Sequence, residues 1–169
     1  FEVYKLGIHT GQTIQAKNSV EMIDKVYRRT KRYLSAKRFI VTLGGEHSIS
    51  IGSIKAHLEF FDDLSILHLD AHSDRRNAFR GSKYNHACVM ARAKEFCPIV
   101  QVGIRSMDVS EKDYIDPSKI FFAKDIYKNT NWIEKGAHVA ANRIGASVTL
   151  VVLSTCVAAM GAPGVGAVP

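Results

Sequence analysis

Apolar positions along the chain switch between two periods, and the switches mark elements. From Asn18 onward, Val20, Ile23, Tyr27 and Leu34 recur at helical spacing. Asn18 followed three residues later by Glu21 makes a capping box, which predicts a helix with one core face. Phe39-Ile-Val-Thr-Leu43 reads as a buried strand, Gly44-Gly45 as a turn, and Ser48 to Phe61 as a second helix with Ile51, Ile54 and Leu58 on one side. Leu64 to Leu69 predicts another strand, His86 to Phe96 a helix, and Pro98 to Gly103 and Ile120 to Ala123 two further strands. Strands alternating with helices predict an α/β fold, a parallel sheet covered on both faces. In such sheets ligands bind beyond the carboxyl ends of the strands, so the loops after each strand carry the functional expectation.

The pattern breaks near residue 135. All 16 acidic residues lie at or before Glu134, and from Gly136 to Pro169 the only Lys or Arg is Arg143. Residues 1–135 therefore read as one part of an α/β domain and residues 136–169 as an atypical apolar tail. A buried strand and loop, a membrane anchor, and a foreign or frameshifted segment compete for that tail. Gly161, Pro163, Gly164 and Gly166 crowd its end, so the anchor ranks last, and a frameshifted segment or fragment is the leading expectation.

Composition narrows the class. With 169 residues, 46% of them hydrophobic and 23% charged, the chain is long enough for a real core and is neither disordered nor collagen-like. Cys88, Cys97 and Cys156 are odd in number and lack metal-like spacing, which argues against a disulfide framework and for the cytoplasm. The opening Phe1-Glu-Val-Tyr-Lys5 has neither a basic nor an apolar signal region, and reads as clipped. The net charge of +7 does not by itself decide a partner, and one basic cluster, Arg28-Arg-Thr-Lys-Arg32 with Lys37-Arg38, is the expected wet face of the first helix. No nucleic-acid recognition motif accompanies these residues, so nucleic acid is not the expected partner.

Two loops carry chemistry. After the Leu64 to Leu69 strand comes Asp70-Ala-His72-Ser-Asp74. If the extended backbone persists, a period of two puts Asp70, His72 and Asp74 on one face, a donor set suited to hard or borderline divalent ions such as Mn²⁺. After the first strand, Gly44-Gly45-Glu46-His47-Ser48 presents His47 at a helix start as a further nitrogen. Taken singly, each of these residues is more often a cap or a satisfied polar group.

Gly-Gly-Glu-His-Ser and Asp-Ala-His-Ser-Asp together resemble motifs of the ureohydrolases, the family of arginase and agmatinase. Gly81-Ser-Lys-Tyr-Asn-His86-Ala and Val102-Gly-Ile-Arg-Ser106 look agmatinase-like. The resemblance covers about residues 1–135. It implies a three-layer α/β/α fold and a binuclear manganese centre that hydrolyses a guanidino substrate such as agmatine to urea and putrescine. His47, Asp70 and Asp74 would hold one ion, Asp70 shared, and His72 the second. His86 matches the histidine to which proton shuttling is assigned, and the full-length family implies a homo-oligomer.

Two departures stand out. The family's second acidic motif, Asp-x-Asp-x-x-Asp-Pro, should follow a later strand; Ser147 to Leu153 occupies about that place, yet no carboxylate follows Glu134. Glu111-Lys-Asp113-Tyr-Ile-Asp116-Pro117 mimics the spacing but follows a different strand, and reads as a solvated turn. Arg75, Arg76, Arg80 and Lys83 also place positive charge beside the site without an intervening acid, which would repel a cationic substrate. The expectation is an impaired agmatinase-like hydrolase, with a non-catalytic metal-binding or interaction module, a fragment with a basic surface, as the alternative.

Overall fold

The computed structural model describes residues 5, 7–128 and 132–134, together with the backbone of 148–153 and 156–160. Helix α1 (Ser19–Ser35) begins where Asn18 accepts a hydrogen bond from the Glu21 amide at 2.9 Å. Glu21 reaches back one residue further than a capping box requires, its carboxylate accepting from the Lys17 amide at 2.7 Å. The buried stripe is Ile23, Val26 and Thr30, whereas Val20, expected in the core, is exposed. The stripe is set by contact with helix α2 (Ile49–Leu58) at Gly52, where an added Cβ would stand 2.4 Å from the Ile23 carbonyl oxygen. Only a residue without a side chain lets the two helices meet this closely.

Among the described residues, β1 (Val41–Leu43), β2 (Leu64–Leu69), β3 (Ile99–Ile104), β4 (Ile120–Phe122), β5 (Val148–Leu153) and β6 (Cys156–Met160) form one six-stranded sheet in the order β1-β6-β5-β2-β3-β4. Strands β2, β3 and β4 run parallel, as predicted. Strand β5 adds to the other side of β2, also parallel, with Leu153 in register with Leu69. A stretch of the apolar tail therefore forms part of the sheet.

The sheet is not wholly parallel. Strand β6, which the apolar pattern did not separate from β5, runs antiparallel to both β5 and the edge strand β1. β1 was expected to be buried, but Val41 and Leu43 are exposed, as is Phe39 just before it. A strand paired on one side at the sheet rim has fewer neighbours to cover it. The core instead gathers Ile51, Ile54, Leu64, Ile66, Val89, Met90 and Ile99 between α2, the parallel strands and helix α3 (Val89–Lys94). A 3₁₀ turn at His86–Cys88 leads into α3, and helix α4 (Ala123–Lys128) follows β4. Among the described residues, no helix is long and apolar enough to cross a membrane.

Candidate metal centre

Loops after β1 and β2 meet at one end of the sheet. Gly44 and Gly45 take φ of 96° and 69°, values that suit glycine, and so turn the chain from β1 toward α2 and bury His47. Directly after β2, Asp70 points inward with its side chain 2% exposed. The backbone then bends instead of staying extended, because Asp70 Oδ1 accepts from the His72 amide at 2.9 Å, a local turn typical of Asp. Asp74 adopts a left-handed φ of 51°, and its carbonyl accepts from the Met90 and Ala91 amides, tying the loop to the start of α3. The period-two geometry is thus replaced by a turn and a left-handed residue.

The bend sorts the predicted residues. His47 Nδ1 lies 2.6 Å from Asp74 Oδ2 and 3.9 Å from Asp70 Oδ2. His68, not singled out from the sequence, joins them: its Nε2 is 3.4 Å from Asp70 Oδ2 and its ring stacks on His47 with centroids 5.3 Å apart. One donor atom from each of His47, His68, Asp70 and Asp74 lies within 4.8 Å of the others. His72 is outside that group; its side chain is 60% exposed and its Nδ1 touches Asp70 Oδ1 at 3.2 Å. The available signal for His68 was its alternation with Asp70, since residues two apart on a strand share a face.

His47 Nε2, His68 Nε2 and Asp70 Oδ2 are buried without a hydrogen-bond partner. Such orphaned atoms are costly unless something binds them. Buried carboxylate and imidazole donors converging in this way fit a divalent cation. Burial pushes the Asp70 carboxyl up, but His68, the His72 amide and His47 outweigh it and hold Asp70 well below the usual carboxylate range. Burial in turn holds His68 below its ordinary value, with Asp70 in partial opposition. An ionised Asp70 beside an uncharged His68 leaves the cluster with the negative charge that a cation needs.

A cleft of about 500 Å³ opens over the cluster, lined by Glu46, His47, His72, Asp74, Arg76, Phe79, His86, Asp108 and Glu111 among others. His86 is brought to this cleft, its Nδ1 3.7 Å from Glu46 Oε2 and its ring edge-on to Phe79. Of the arginines expected to repel a cation, one is buried and one is paired with acids distant in sequence. Arg75 is buried, donating to Gln101 and to the Tyr114 carbonyl, while Arg76 pairs with Asp108 at 2.9 Å and Glu111 at 3.4 Å. Arg80 is exposed, packed over the Phe79 ring.

The acidic decoy divides. Asp116 caps a surface turn, accepting from Ser118 and pairing with Lys119, as a solvated turn should. Glu111, however, is 3% exposed beneath Arg76, which corrects its assignment to solvent. Burial raises the Glu111 carboxyl above its ordinary value, against the opposing pull of Arg76 and nearby backbone groups.

A sequence model of the arginase family matches residues 1–168. The N(1)-aminopropylagmatine ureohydrolase of Synechocystis is 34% identical over 118 residues, 68% of this chain and 39% of the relative. Agmatinase of Proteus mirabilis is 32% identical over 91 residues, 51% of this chain and 29% of that protein. The solved agmatine ureohydrolase of Thermoplasma volcanium covers 83% of this chain and 47% of its own at 29% identity, with a TM-score of 0.66. Arginase from Bacillus subtilis, at 22% identity, shares the fold with a TM-score of 0.73 over 89% of this chain and 62% of its own. The chain spans 39% and 36% of the length of two curated relatives that it matches. With its family match running almost end to end and its α/β sheet shared with solved relatives, the chain belongs to the arginase family.

Proposed function

We propose that this chain carries the ion-binding loops of an agmatinase-type hydrolase, acting on agmatine and water to give urea and putrescine with manganese as the metal. The observation that carries this reading is the convergence of His47, Asp70 and Asp74 at the floor of a cleft that also holds His86. A guanidinium carbon is deactivated by resonance, and a bound divalent cation supplies what is needed by lowering the pKa of water. Asp70 and Asp74 contribute the negative charge that offsets such a cation, and His47 a nitrogen donor. His72, on the open side of Asp70, is available to a second ion. His86, an imidazole on the cleft wall, would protonate the leaving amine, with Glu46 3.7 Å from its Nδ1 to hold the imidazolium. Glu46, Asp108 and Glu111 make the cleft wall suitable for a cationic substrate despite Arg76.

The chain on its own is expected to work poorly. Two divalent cations held close together need several carboxylates, and this sequence has none after Glu134 to complete a second site. The same observation favours a second reading, a metal-binding module without catalysis.

Manganese per chain and urea release from agmatine, measured on the same metal-loaded sample, test both. One weakly held ion with little urea is the expected result. Two tightly held ions with full urea release would overturn the impairment, and no ion at all would overturn the metal reading.

A further inference from the structure

The hydrogen bonds behind the metal cluster decide which nitrogen of His68 carries its proton. Arg75 Nε donates to Gln101 Oε1. A guanidinium can only donate, so the Gln101 atom facing it must be the oxygen. The amide nitrogen then faces the opposite way and spends its two hydrogens on the Ser73 carbonyl at 2.8 Å and on His68 Nδ1 at 2.9 Å. His68 Nδ1 is therefore an acceptor, and a neutral imidazole accepting there holds its proton on Nε2. That nitrogen faces Asp70 Oδ2 at 3.4 Å, a small shift from a hydrogen bond. Gln101 and His68 are fully buried and Arg75 is 5% exposed, so solvent does not compete for these bonds. Stacking against His47, with the ring planes 24° apart, further restrains the ring.

We infer that Arg75, Gln101 and His68 form a relay that holds His68 as a hydrogen-bond donor to Asp70, making His68 a positioning residue for that carboxylate and not a metal ligand. The inference rests on the reading of Asp70 as a ligand. It reduces the four clustered groups to three that can offer a lone pair to a cation, His47, Asp70 and Asp74. His68 then acts through Asp70, fixing which carboxylate lone pairs remain available. Hydrogen bonds of this kind orient metal-binding carboxylates, and their loss weakens metal binding without removing a ligand.

Long-range ¹H–¹⁵N correlation spectra of the full chain with ¹⁵N-labelled histidine test the relay, with His68 assigned by its absence from His68→Gln. The ion-free chain is expected to show a protonated His68 Nε2 and a bare Nδ1, and Nε2 should keep its proton when Zn²⁺ is added as a diamagnetic probe. A proton on Nδ1, or loss of the Nε2 proton to zinc, overturns the inference. In Mn²⁺ titrations, Gln101→Leu and His68→Leu should weaken binding by about 10–100-fold. His68→Gln, whose amide N–H can replace the donor, should retain most of the affinity; a loss as deep as that of Asp70→Ala would make His68 a ligand. If the unmodified chain binds no ion, the metal reading fails, while the ion-free tautomer still decides the relay without any variant that must fold.

Discussion

Glu111 and Arg76 show how a single residue's setting changes its meaning. Glu111 is buried and Arg76 is its cation, with a side chain 30% exposed. Arg76→Ala is expected to cost about 1–3 kcal/mol, the range for leaving a buried polar group unsatisfied, discounted for the partial exposure of the pair. Because Glu111 titrates above its ordinary value in the fold, stability from its protonated form is present at low pH and fades as pH rises through that raised value. The variant's loss, measured by urea denaturation, should therefore be smaller at acidic pH than at pH 7. His57 behaves in the opposite sense. It is buried in α2, its ring hydrogen-bonded to the Ser53 carbonyl at 2.8 Å, and burial depresses its titration below 6.5 against the opposing effect of that bond. The unfolded chain takes up the proton first, so stability present at neutral pH is lost as pH falls below 6.5. His57→Met should flatten the slope of stability against pH in that window by up to about 1.4 kcal/mol per pH unit.

At the scale of elements, the α1–α2 contact is the feature most exposed to a small change. Gly52→Ala would place a Cβ against backbone, 2.4 Å from the Ile23 carbonyl and 3.0 Å from the Tyr27 amide, and backbone yields less readily than a side chain. The helices must separate, at an expected cost of about 1–3 kcal/mol in chemical denaturation. Ser53→Ala at the next position is the contrasting case, because the Ser53 hydroxyl is buried without a partner. Its removal should be neutral or mildly stabilising. The Ile23, Val26, Thr30 stripe follows from the same contact. Helical spacing alone is satisfied by more than one face, and the approach at Gly52 selects the one that excludes Val20.

For the whole molecule, the proposed metal centre predicts that stability depends on cation concentration, through the buried, unpartnered atoms of His47 and Asp70. A ligand that binds only the folded state stabilises it by about 2.7 kcal/mol at a hundredfold excess over its dissociation constant. Thermal unfolding with increasing Mn²⁺ should accordingly shift upward and return to the baseline on adding a chelator. Asp70→Asn should abolish that shift, since it removes the carboxylate central to His47, His68 and His72. A melting temperature indifferent to Mn²⁺ in the unmodified chain would count against the metal centre.

Local pattern by itself determined the order of helices and strands, the parallel arrangement of β2, β3 and β4, and the loops on which the chemistry lies. These depend on period, capping and turn residues, all of which act over a few positions. Asp70, Asp74 and His47 were legible for that reason, together with the motifs that resemble ureohydrolases. Only the tertiary structure placed β6 antiparallel at the rim, because pairing direction depends on a partner far away in sequence. It also replaced an extended Asp70 to Asp74 segment by a bend, turning His72 outward and leaving His68 in the cluster. The charges of Arg75 and Arg76 looked repulsive as a run. Folding buried one against Gln101 and paired the other with Asp108 and Glu111, contacts separated by 26 to 35 residues that no local pattern encodes.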